Sequence, residues 1–432
     1  MVPLEQSARD YDALLELIGN AHFVLLGEAS HGTHEFYRHR AEITQRLIEE
    51  KGFQAVAIEG DWPDTFRVHR FVMGANEDAE TIDALAGFQR FPTWMWRNAD
   101  VLDFLGWLRN HNDSISEPTR KTGFFGLDLY SLYASIDAVL NYLSKIDPEA
   151  ARRARMRYAC FENFSDDSQA YGYAAGTGMV DPCEDEVVGQ LIELRQRAAE
   201  YARRDGWIAE EEFFSAEQNA RLIKNAEHYY RAMYRGRVSS WNLRDRHMFE
   251  TLEALTAYLR RRTGDARLVV WAHNSHLGDA RATQMSQRGE LNLGQLVREK
   301  HGDDAILIGF STDHGTVTAA SNWDEPAERK QVRPARADSF EGLFHRVNVP
   351  DFLLLLRPNR SALAPLRRER LERAIGVIYR PETELMSHYF YARLLEQFDA
   401  VIHLDETRAV EPLERAALWV SGEVPETYPS AV

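Results

Sequence analysis

The residues best suited to chemistry stand directly after four short apolar runs of the sequence. Glu28 and His31 follow the first run, Glu59 and Asp61 the second, Asp128 the third, and His273 and His276 the fourth. A histidine titrates near neutral pH, and a neighbouring carboxylate fixes which ring nitrogen carries the proton. If the four runs are parallel strands, these side chains meet at one edge of a sheet, where open α/β proteins bind ligands. The pattern therefore predicts a cleft for general acid–base catalysis.

The same side chains leave two other kinds of site open. Imidazole nitrogens and carboxylate oxygens bind divalent metal ions, so a metal-dependent hydrolase is one alternative, although no H-E-x-x-H pair occurs. A protein that sequesters a ligand without changing it is the other. The sequence contains no G-x-S-x-G elbow and no Walker or Rossmann glycine pattern. Direct activation of water by a histidine is therefore the simplest hydrolytic route, and we expect neither a metal nor another cofactor.

Eight short apolar runs are expected to be strands that are covered on both faces. They are residues 23–26, 55–58, 123–127, 268–272, 306–310, 352–356, 375–379 and 400–404. A helical segment, 35–51, joins the first two runs and ends before Gly52, a residue type that commonly terminates helices. Strand–helix–strand units of this kind predict an α/β fold with a mainly parallel central sheet flanked by helices.

Between the third and fourth runs, long helical patterns replace the strand pattern. Apolar residues repeat there at helical spacing, at Met248, Leu252, Leu255 and Leu259. We therefore expect a first part of the α/β core in residues 1–130, a helical insertion in 131–265 and a second part of the core in 266–432. Within the insertion, the glycine-rich segment 171–178 is expected to be a loop. Asn242 is expected to cap the helix that follows it, and Arg244 is expected to pair with Asp245.

The overall composition restricts the partners of the protein. Its 432 residues carry a formal net charge of −16, and its arginine-rich stretches are short, so nucleic acid is not an expected partner. No apolar stretch approaches the roughly 20 residues that span a bilayer, and no basic segment followed by an apolar one begins the chain. We expect a soluble, cytoplasmic protein that binds a small-molecule ester and no membrane, with its oligomeric state open. Cys160 and Cys183 are expected to be free thiols.

The motifs that contain the candidate residues resemble those of the erythromycin esterase family. They are Gly27-Glu28-Ala29-Ser30-His31-Gly32 followed by Glu35, Phe36 and Arg40; Ala57-Ile58-Glu59; Phe125-Gly126-Leu127-Asp128; Trp271-Ala272-His273-Asn274-Ser275-His276; and Met386-Ser387-His388-Tyr389. Together they extend over nearly the whole chain. The resemblance implies a carboxylic ester hydrolase that opens a macrolide lactone without a covalent intermediate, the activity behind antibiotic resistance.

The resemblance also implies roles for individual residues. His31 would be the general base that deprotonates water, and Glu28 and Glu59 would position or polarise it. Three further residues would hold the substrate or stabilise the oxyanion, namely Arg40, His273 and His276.

Other residues in or near these motifs are expected to contact the substrate: Glu35, Trp94, Asp128, Arg244, His388 and Tyr389. Trp94 and its neighbour Trp96 would line an apolar pocket. His388 and Tyr389 begin a segment that is expected to be helical through Phe398. Some members of the family are named for succinoglycan biosynthesis, and segments 60–64 and 90–97 look closer to that branch. The resemblance therefore leaves the substrate open.

Overall fold

A sheet of nine strands forms the centre of the protein. We describe it from a computed structural model, which describes residues 1–7, 9–76, 78–164, 167–201, 206–234, 236–357, 363–415 and 419. The strands of these residues are β1 (Val2–Pro3), β2 (Phe23–Leu26), β3 (Ala55–Asp61), β4 (Gly123–Asp128), β5 (Leu268–Trp271), β6 (Ala305–Ala319), β7 (Glu328–Val332), β8 (Asp351–Leu355), β9 (Arg370–Arg373), β10 (Tyr389–Ala392) and β11 (Ala400–Thr407). β9 and β10 form a separate antiparallel pair, and the other nine strands make up the central sheet.

The strand order of the central sheet is β1-β8-β11-β6-β2-β5-β3-β4, with β7 paired to the long strand β6. The six neighbouring strands from β11 to β4 run parallel to one another. β1, β8 and β7 pair in the antiparallel sense. The predicted α/β class with a mainly parallel central sheet is therefore confirmed.

The strands are connected and flanked by helices. These are α1 (Asp12–Ile18), α2 (His34–Lys51), α3 (Trp62–Val72), α4 (Thr81–Ala84), α5 (Ala99–Asp113), α6 (Leu132–Ile146), α7 (Pro148–Tyr158), α8 (Ser168–Gly176), α9 (Glu184–Gln196), α10 (Ala198–Tyr201), α11 (Gly206–Met233), α12 (Arg237–Thr263), α13 (Asn274–Leu277), α14 (Gln284–Gln287), α15 (Leu293–His301), α16 (Phe340–His345), α17 (Glu384–Ser387) and α18 (Leu394–Gln397). α2 ends at the predicted place, because Gly52 takes the left-handed conformation with φ of 67°. Among the described residues, we find no helix with the length and apolar character needed to cross a membrane.

Apolar side chains cover both faces of the sheet. Phe23 and Leu25 of β2 belong to the core on one face, and Val24 and Leu26 belong to the core on the other. Successive strand residues point to opposite faces, so a strand buried on both sides has no polar position. This explains why the central strands could be recognised as continuous apolar runs.

Helices α6 to α12 occupy the chain between β4 and β5. α11 packs against α6, α8, α9 and α12. The apolar repeat from Met248 to Leu259 lies on α12, and all four of its residues are buried. The division of the chain into three parts remains a prediction.

Three local predictions in this region were wrong. Residues 171–176 lie in α8, where Gly172 permits a close helix contact: a Cβ there would be 2.4 Å from the carbonyl oxygen of Tyr230. Asn242 lies inside α12 and does not cap it, because its side chain bonds the backbone of Gly289 and Leu291 at 2.9 Å each. The two cysteines, Cys160 and Cys183, form a disulfide with their Cα atoms 6.2 Å apart. The folding of the helices brings them together, and their spacing of 23 residues carries no sign of it.

Two predictions near the end of the chain were also wrong. Residues 375–379 form no strand, only single bridges to Ser30 and Ala320. The expected helix from His388 to Phe398 is instead strand β10 followed by the short helix α18. β10 is extended because it pairs residue by residue with β9, a long-range contact that overrides local preference.

Candidate active site

The sheet order brings the predicted residues side by side. β5 lies between β2 and β3. The turn after β5, which carries His273 and His276, therefore lies between Glu28 after β2 and Glu59 in β3. Asp128 ends the next strand, β4. All five residues stand at the carboxyl edge of parallel strands, as expected for a ligand site in this class of fold.

His31 is the centre of a buried chain of polar groups. Its Nδ1 lies 2.8 Å from Oε1 of Glu28, and Oε2 of Glu28 lies 2.6 Å from Nη2 of Arg40. Glu28 and Arg40 are fully buried. A carboxylate that is paired with an arginine accepts the Nδ1 proton, which leaves the lone pair on Nε2. No described residue hydrogen-bonds Nε2, and His31 lines a cavity, so this nitrogen is available to a ligand or a water molecule.

Helix α2 holds this chain in place. The guanidinium of Arg40 lies 4.5 Å from the ring centroid of Tyr37 and 5.1 Å from that of Trp271. The hydroxyl of Tyr37, one turn before Arg40, donates to the carbonyl oxygen of His31 at 2.9 Å. Arg40 is not among the residues that line the cavity. It therefore contacts Glu28 from outside the cavity and is a positioning residue.

Arg244 of α12 joins the carboxylates of two strands. Its Nε and Nη2 donate to the two oxygens of Asp128 at 2.9 and 2.6 Å, and Nη2 also donates to Oε1 of Glu59 at 2.7 Å. Burial raises the pKa of both carboxyls, but nearby cations overcome it. His276 and Arg244 hold the pKa of Glu59 well below its usual value, and Arg244 lowers that of Asp128. Both groups are therefore ionised at neutral pH.

His276 is a buried cation. Burial alone lowers its pKa, but the carboxylates of Asp245 and Glu59 raise it to about 9. Its Nδ1 lies 2.9 and 3.0 Å from the two oxygens of Asp245, and its Nε2 lies 3.3 Å from Oε1 of Glu59. Nη1 of Arg244 lies 3.1 Å from Nε2 and lowers the pKa of His276, but by less than the two carboxylates raise it. The predicted pairing of Arg244 with Asp245 was wrong, because adjacent residues of a helix point in different directions.

His273 is neutral although it lies in the same turn. Burial, followed by repulsion from His31, lowers its pKa to about 3. Its Nδ1 accepts the backbone N–H of Ser275 at 3.1 Å, so the single ring proton resides on Nε2. Nε2 is buried near the backbone of Ala29, and the ring centroid lies 4.9 Å from that of His31. The site therefore places the Nε2–H of His273 next to the imidazole of His31.

A cavity of about 190 Å³ opens beside these groups. Its polar wall includes His31, Glu59, Asp128 and Arg244. Five aromatic residues also line it, namely Phe88, Phe91, Trp96, Tyr130 and Trp323. Trp323 is 52% exposed, and its ring centroid lies 4.9 Å from that of Phe91. The two rings form an apolar rim at the mouth of the cavity.

The cavity also contains residues that sequence reasoning did not select. Nη2 of Arg90 donates to Oδ2 of Asp61 at 2.9 Å, and the guanidinium lies 4.4 Å from the ring centroid of Tyr130. Burial and the charge of Asp61 raise the pKa of Asp64, a further lining residue, to about 7. Arg90 begins the aromatic segment 90–97, which was the only signal for it. Tyr130 and Asp64 had no signal beyond closeness to strand ends.

Two of the predicted substrate contacts lie away from the cavity. Trp94 is buried in the apolar core, whereas its neighbour Trp96 lines the cavity and donates from Nε1 to the carbonyl oxygen of Glu59 at 3.1 Å. Glu35 pairs with Nε of Arg408 at 3.0 Å. Glu35 is the second residue of α2 and lies on a face that does not contain Arg40, since residues five apart in a helix do not share one face.

His388 and Tyr389 also lie elsewhere. The hydroxyl of Tyr389 accepts from Nε of Arg373 at 2.9 Å, and the ring of His388 lies 5.1 Å from that of Tyr379, centroid to centroid. Neither residue lines the cavity. Their segment belongs to the β9–β10 pair, and the contact of this region with the cavity is made by Val377.

The donors considered for a metal ion are committed to other partners. The oxygens of Glu28 face His31 and Arg40, and those of Glu59 face Arg244 and the backbone N–H of His273. Within the part of the chain that the structure describes, no three side chains of the predicted cluster bring ligand atoms within 4.8 Å of one another. The geometry therefore favours acid–base chemistry over the metal alternative.

A mainly parallel α/β sheet with buried histidines, carboxylates and arginines at its carboxyl edge defines a class of protein equipped for acid–base chemistry on a bound ligand. Comparison with known sequences identifies the family within this class. Residues 48–407 match the family described as Erythromycin esterase, and the chain belongs to this family. Family membership supports a hydrolase.

Individual relatives have low sequence identity to this chain, but the similarity extends over most of its length. The chain is 20% identical to erythromycin esterase type II of Escherichia coli over 325 residues, which cover 72% of this chain and 73% of that protein. The fold is similar to the crystal structure of a succinoglycan biosynthesis protein, with a TM-score of 0.74 and 21% identity over 95% of both chains. It is also similar to an erythromycin esterase mutant, EreC, in its open conformation, with a TM-score of 0.69 and 16% identity over 95% of this chain and 96% of that one.

Proposed function

We propose that the protein hydrolyses a carboxylic ester with water activated by His31, without a covalent intermediate. The observation that carries the proposal is the chain from Arg40 through Glu28 to Nδ1 of His31, a residue that lines the cavity and whose Nε2 has no hydrogen-bond partner among the described residues. A carboxylate that orients an imidazole in this way is the usual arrangement for a general base.

The proposed reaction needs only water and the ester. Nε2 of His31 takes a proton from water as the water oxygen attacks the carbonyl carbon, and the carbonyl oxygen becomes an oxyanion. The tetrahedral intermediate then collapses: the bond from carbon to the alkoxide oxygen breaks, and His31 returns the proton to the leaving alcohol. The products are a carboxylic acid and an alcohol, or one hydroxy acid if the ester is a lactone.

Oxyanion stabilisation is assigned to the other two histidines. The ring of His273 lies beside that of His31, with the centroids 4.9 Å apart, and His276 supplies a fixed positive charge; neither residue is among those that line the cavity, so both would act at its inner end. Donors that are held in place before the reaction stabilise a developing negative charge at little reorganisation cost. Glu59, in contact with His276 and Arg244, keeps both cations in position.

The cavity indicates the substrate class in part. Its volume of about 190 Å³ is below the roughly 300–1,000 Å³ of sites that enclose a drug-sized ligand. We propose that it encloses the reacting ester and that the rest of a large apolar substrate lies on the rim formed by Phe91 and Trp323. A macrocyclic lactone is the particular substrate that we propose to test first.

The test is mass spectrometry of a panel of macrolides and simple esters after incubation with the protein. We expect the mass of one water to be added to at least one compound, and His31→Ala to slow this reaction by a factor of about 100 or more. His22→Ala is the matched control, because His22 also pairs with aspartates, Asp265 and Asp304, but at the opposite end of β2. It should keep the wild-type rate.

Other outcomes would change the proposal. A folded His31→Ala variant with the wild-type rate would exclude His31 as the base. Saturable binding of a compound that is never cleaved, retained in His31→Ala, would favour the ligand-sequestering alternative.

A further inference from the structure

Outside the cleft, three histidines and two aspartates gather where β6, β11 and α16 meet. They are Asp313 and His314 of β6, His345 at the end of α16, and His403 and Asp405 of β11. β6 and β11 are parallel neighbours, with His403 opposite Ser311. Because side chains two positions apart share a face of a strand, His403 and Asp405 lie on the same side of the sheet. None of the five residues lines the cavity of the candidate active site.

Three of these residues have the separations of a metal-binding set. One ligand atom each from Asp313, His345 and Asp405 lies within 4.8 Å of the others. Nδ1 of His345 is 2.8 Å from Oδ1 of Asp405 and 3.8 Å from Oδ2 of Asp313. Ligands that share a zinc ion at about 2.0–2.2 Å lie roughly 3–3.5 Å apart. Small side-chain adjustments would therefore bring all three onto one ion.

A fourth donor, His403, lies beside Asp405 but outside the set of three whose ligand atoms are within 4.8 Å of one another. His403 is fully buried, and its Nε2 has no hydrogen-bond partner although it lies 3.4 Å from Oδ1 of Asp405. Its Nδ1 is engaged by Oγ of Ser311 at 3.0 Å. Buried ring nitrogens without a partner are rare in folded proteins. An imidazole whose other nitrogen is held by a neighbouring polar group is typical of a metal ligand.

A simple surface ion pair accounts for only part of this arrangement. The contact between His345 and Asp405 is half exposed, since the His345 side chain is 50% accessible. Such pairs are common and need no ion. They do not explain the unpartnered Nε2 of His403. Asp313 is a buried carboxylate whose Oδ2 faces His314 at 3.0 Å and whose Oδ1 accepts the backbone N–H of Ala335 at 3.3 Å. The exposure of His345 also gives an ion a path from solvent.

We propose that Asp313, His345 and Asp405 bind one divalent transition-metal ion and that Nε2 of His403, next to Asp405, joins them as the fourth ligand after a side-chain movement. Two imidazole nitrogens and two carboxylate oxygens form a mixed donor set, which favours Zn²⁺ over Mg²⁺ or Ca²⁺, both of which prefer oxygen ligands alone. The two carboxylates balance the charge of the ion. By joining the end of α16 to β6 and β11, the ion would stabilise this side of the sheet. The site does not depend on the proposed hydrolysis.

The test is metal binding by the full chain after removal of any affinity tag and treatment with a chelator. We expect isothermal titration with Zn²⁺ to give one site per chain, and thermal melting to shift upward with Zn²⁺ but not with Mg²⁺. His345→Gln and Asp405→Asn should each weaken Zn²⁺ binding by about tenfold or more. Both residues are partly exposed, so the variants are expected to fold.

The matched control is His22→Gln, which removes another histidine that pairs with two aspartates. Nδ1 and Nε2 of His22 each face a different aspartate, at 2.7 and 3.1 Å, so no single ion is shared. This variant should bind Zn²⁺ as the wild type does. Absence of Zn²⁺ binding to the wild type, or equal binding in His345→Gln and Asp405→Asn, would overturn the proposal. Hydrolysis is not a readout, so failure of the proposed esterase activity leaves this result unaffected.

Discussion

His273 and His276 stand three positions apart in one turn and are both buried, yet His273 is neutral and His276 is positively charged. Burial disfavours the protonated form of each ring. His276 has the carboxylates of Asp245 and Glu59 beside its two nitrogens. His273 has the backbone N–H of Ser275 at Nδ1 and the imidazole of His31 nearby. The partners of each ring, and not its depth, decide its charge. These partners come from distant parts of the chain, so the sequence alone could not predict either charge.

We predict that these two histidines make the protein most stable near pH 6.5. A histidine of the unfolded chain titrates near 6.5. The pKa of His276 is about 9 in the folded state. Its contribution to the free energy of unfolding is therefore fully present below pH 6.5 and is lost as the pH rises to 9. The loss is at most about 3 kcal/mol. The pKa of His273 is about 3 in the folded state. Between pH 6.5 and 3 the unfolded chain therefore binds a proton at this residue that the folded chain does not bind, so the free energy of unfolding falls as the pH drops over this range.

Two measurements check this prediction. NMR of the imidazole nitrogens should find His276 doubly protonated and His273 neutral at pH 7. Urea unfolding over a range of pH should give a free energy of unfolding that declines above pH 6.5, and His276→Gln should remove most of this decline. An equal alkaline decline in the wild type and in His276→Gln would contradict the assignment.

At the scale of secondary structure, the local sequence pattern was sufficient to predict the bounds of elements in the centre of the fold. β2 and the helix α2 have nearly the predicted bounds, because a continuous apolar run and a terminal glycine are properties of the segment itself. Residues 375–379 and 388–398 were misassigned because their conformation depends on the partner they meet, such as β9 for β10. Strand pairing at the margin of a fold is a long-range property that single segments do not encode.

We predict that Gly32→Ala disrupts the loop that carries His31. A Cβ at this position would lie 1.8 Å from the carbonyl oxygen of Thr318 in β6. The same contact is fixed by a hydrogen bond from the Thr318 N–H to the carbonyl oxygen of Gly32 at 3.0 Å. Because backbone is on both sides, the loop must move, and we expect a loss of about 2 kcal/mol in the free energy of unfolding together with loss of hydrolysis.

The control for this prediction is Gly376→Ala, since a Cβ at Gly376 would meet nothing within 4 Å. Chemical denaturation and the ester assay of the two variants should differ clearly. Equal stability and activity of Gly32→Ala and Gly376→Ala would show that β6 does not constrain the loop.

At the scale of the whole molecule, one arginine connects the helices that follow β4 to the sheet. Arg244 is the residue of α12 that reaches Asp128 in β4 and Glu59 in β3. Removal of a cation from buried carboxylates leaves their charges uncompensated, which costs about 3–5 kcal/mol. We predict a loss of this size for Arg244→Gln.

A double-mutant cycle measures the connection. Asp128→Asn removes one of the two charges that Arg244 balances, so the double variant with Arg244→Gln should be more stable than the sum of the single losses predicts, by about 1–3 kcal/mol. Urea unfolding of the four proteins gives the value. Simple additivity would mean that Arg244 and Asp128 do not act as a pair.

The residues of the candidate site that follow strand ends could be predicted from the sequence. Those that reach the site only through the tertiary packing of other elements could not. Glu28, His31 and Glu59 could be selected because each follows an apolar run. Arg90 and Asp245 could not, because their importance arises from α12 and the loop before α5 folding over the sheet edge. For the same reason Trp94 could not be distinguished from Trp96, its neighbour at the cavity.

The position of β5 has a consequence for biosynthesis. β2, β3 and β4 are translated within the first 128 residues, but β5 begins only at residue 268 and inserts between β2 and β3. The nascent chain therefore leaves the ribosome with both edges of β2 and one edge of β3 unpaired, and with an incomplete cleft. Such edges are liable to pair with other chains. A product that terminates before residue 268 would contain His31 and Glu59 but not β5, the strand that lies between β2 and β3, so the cleft cannot form until the helices and β5 have been translated.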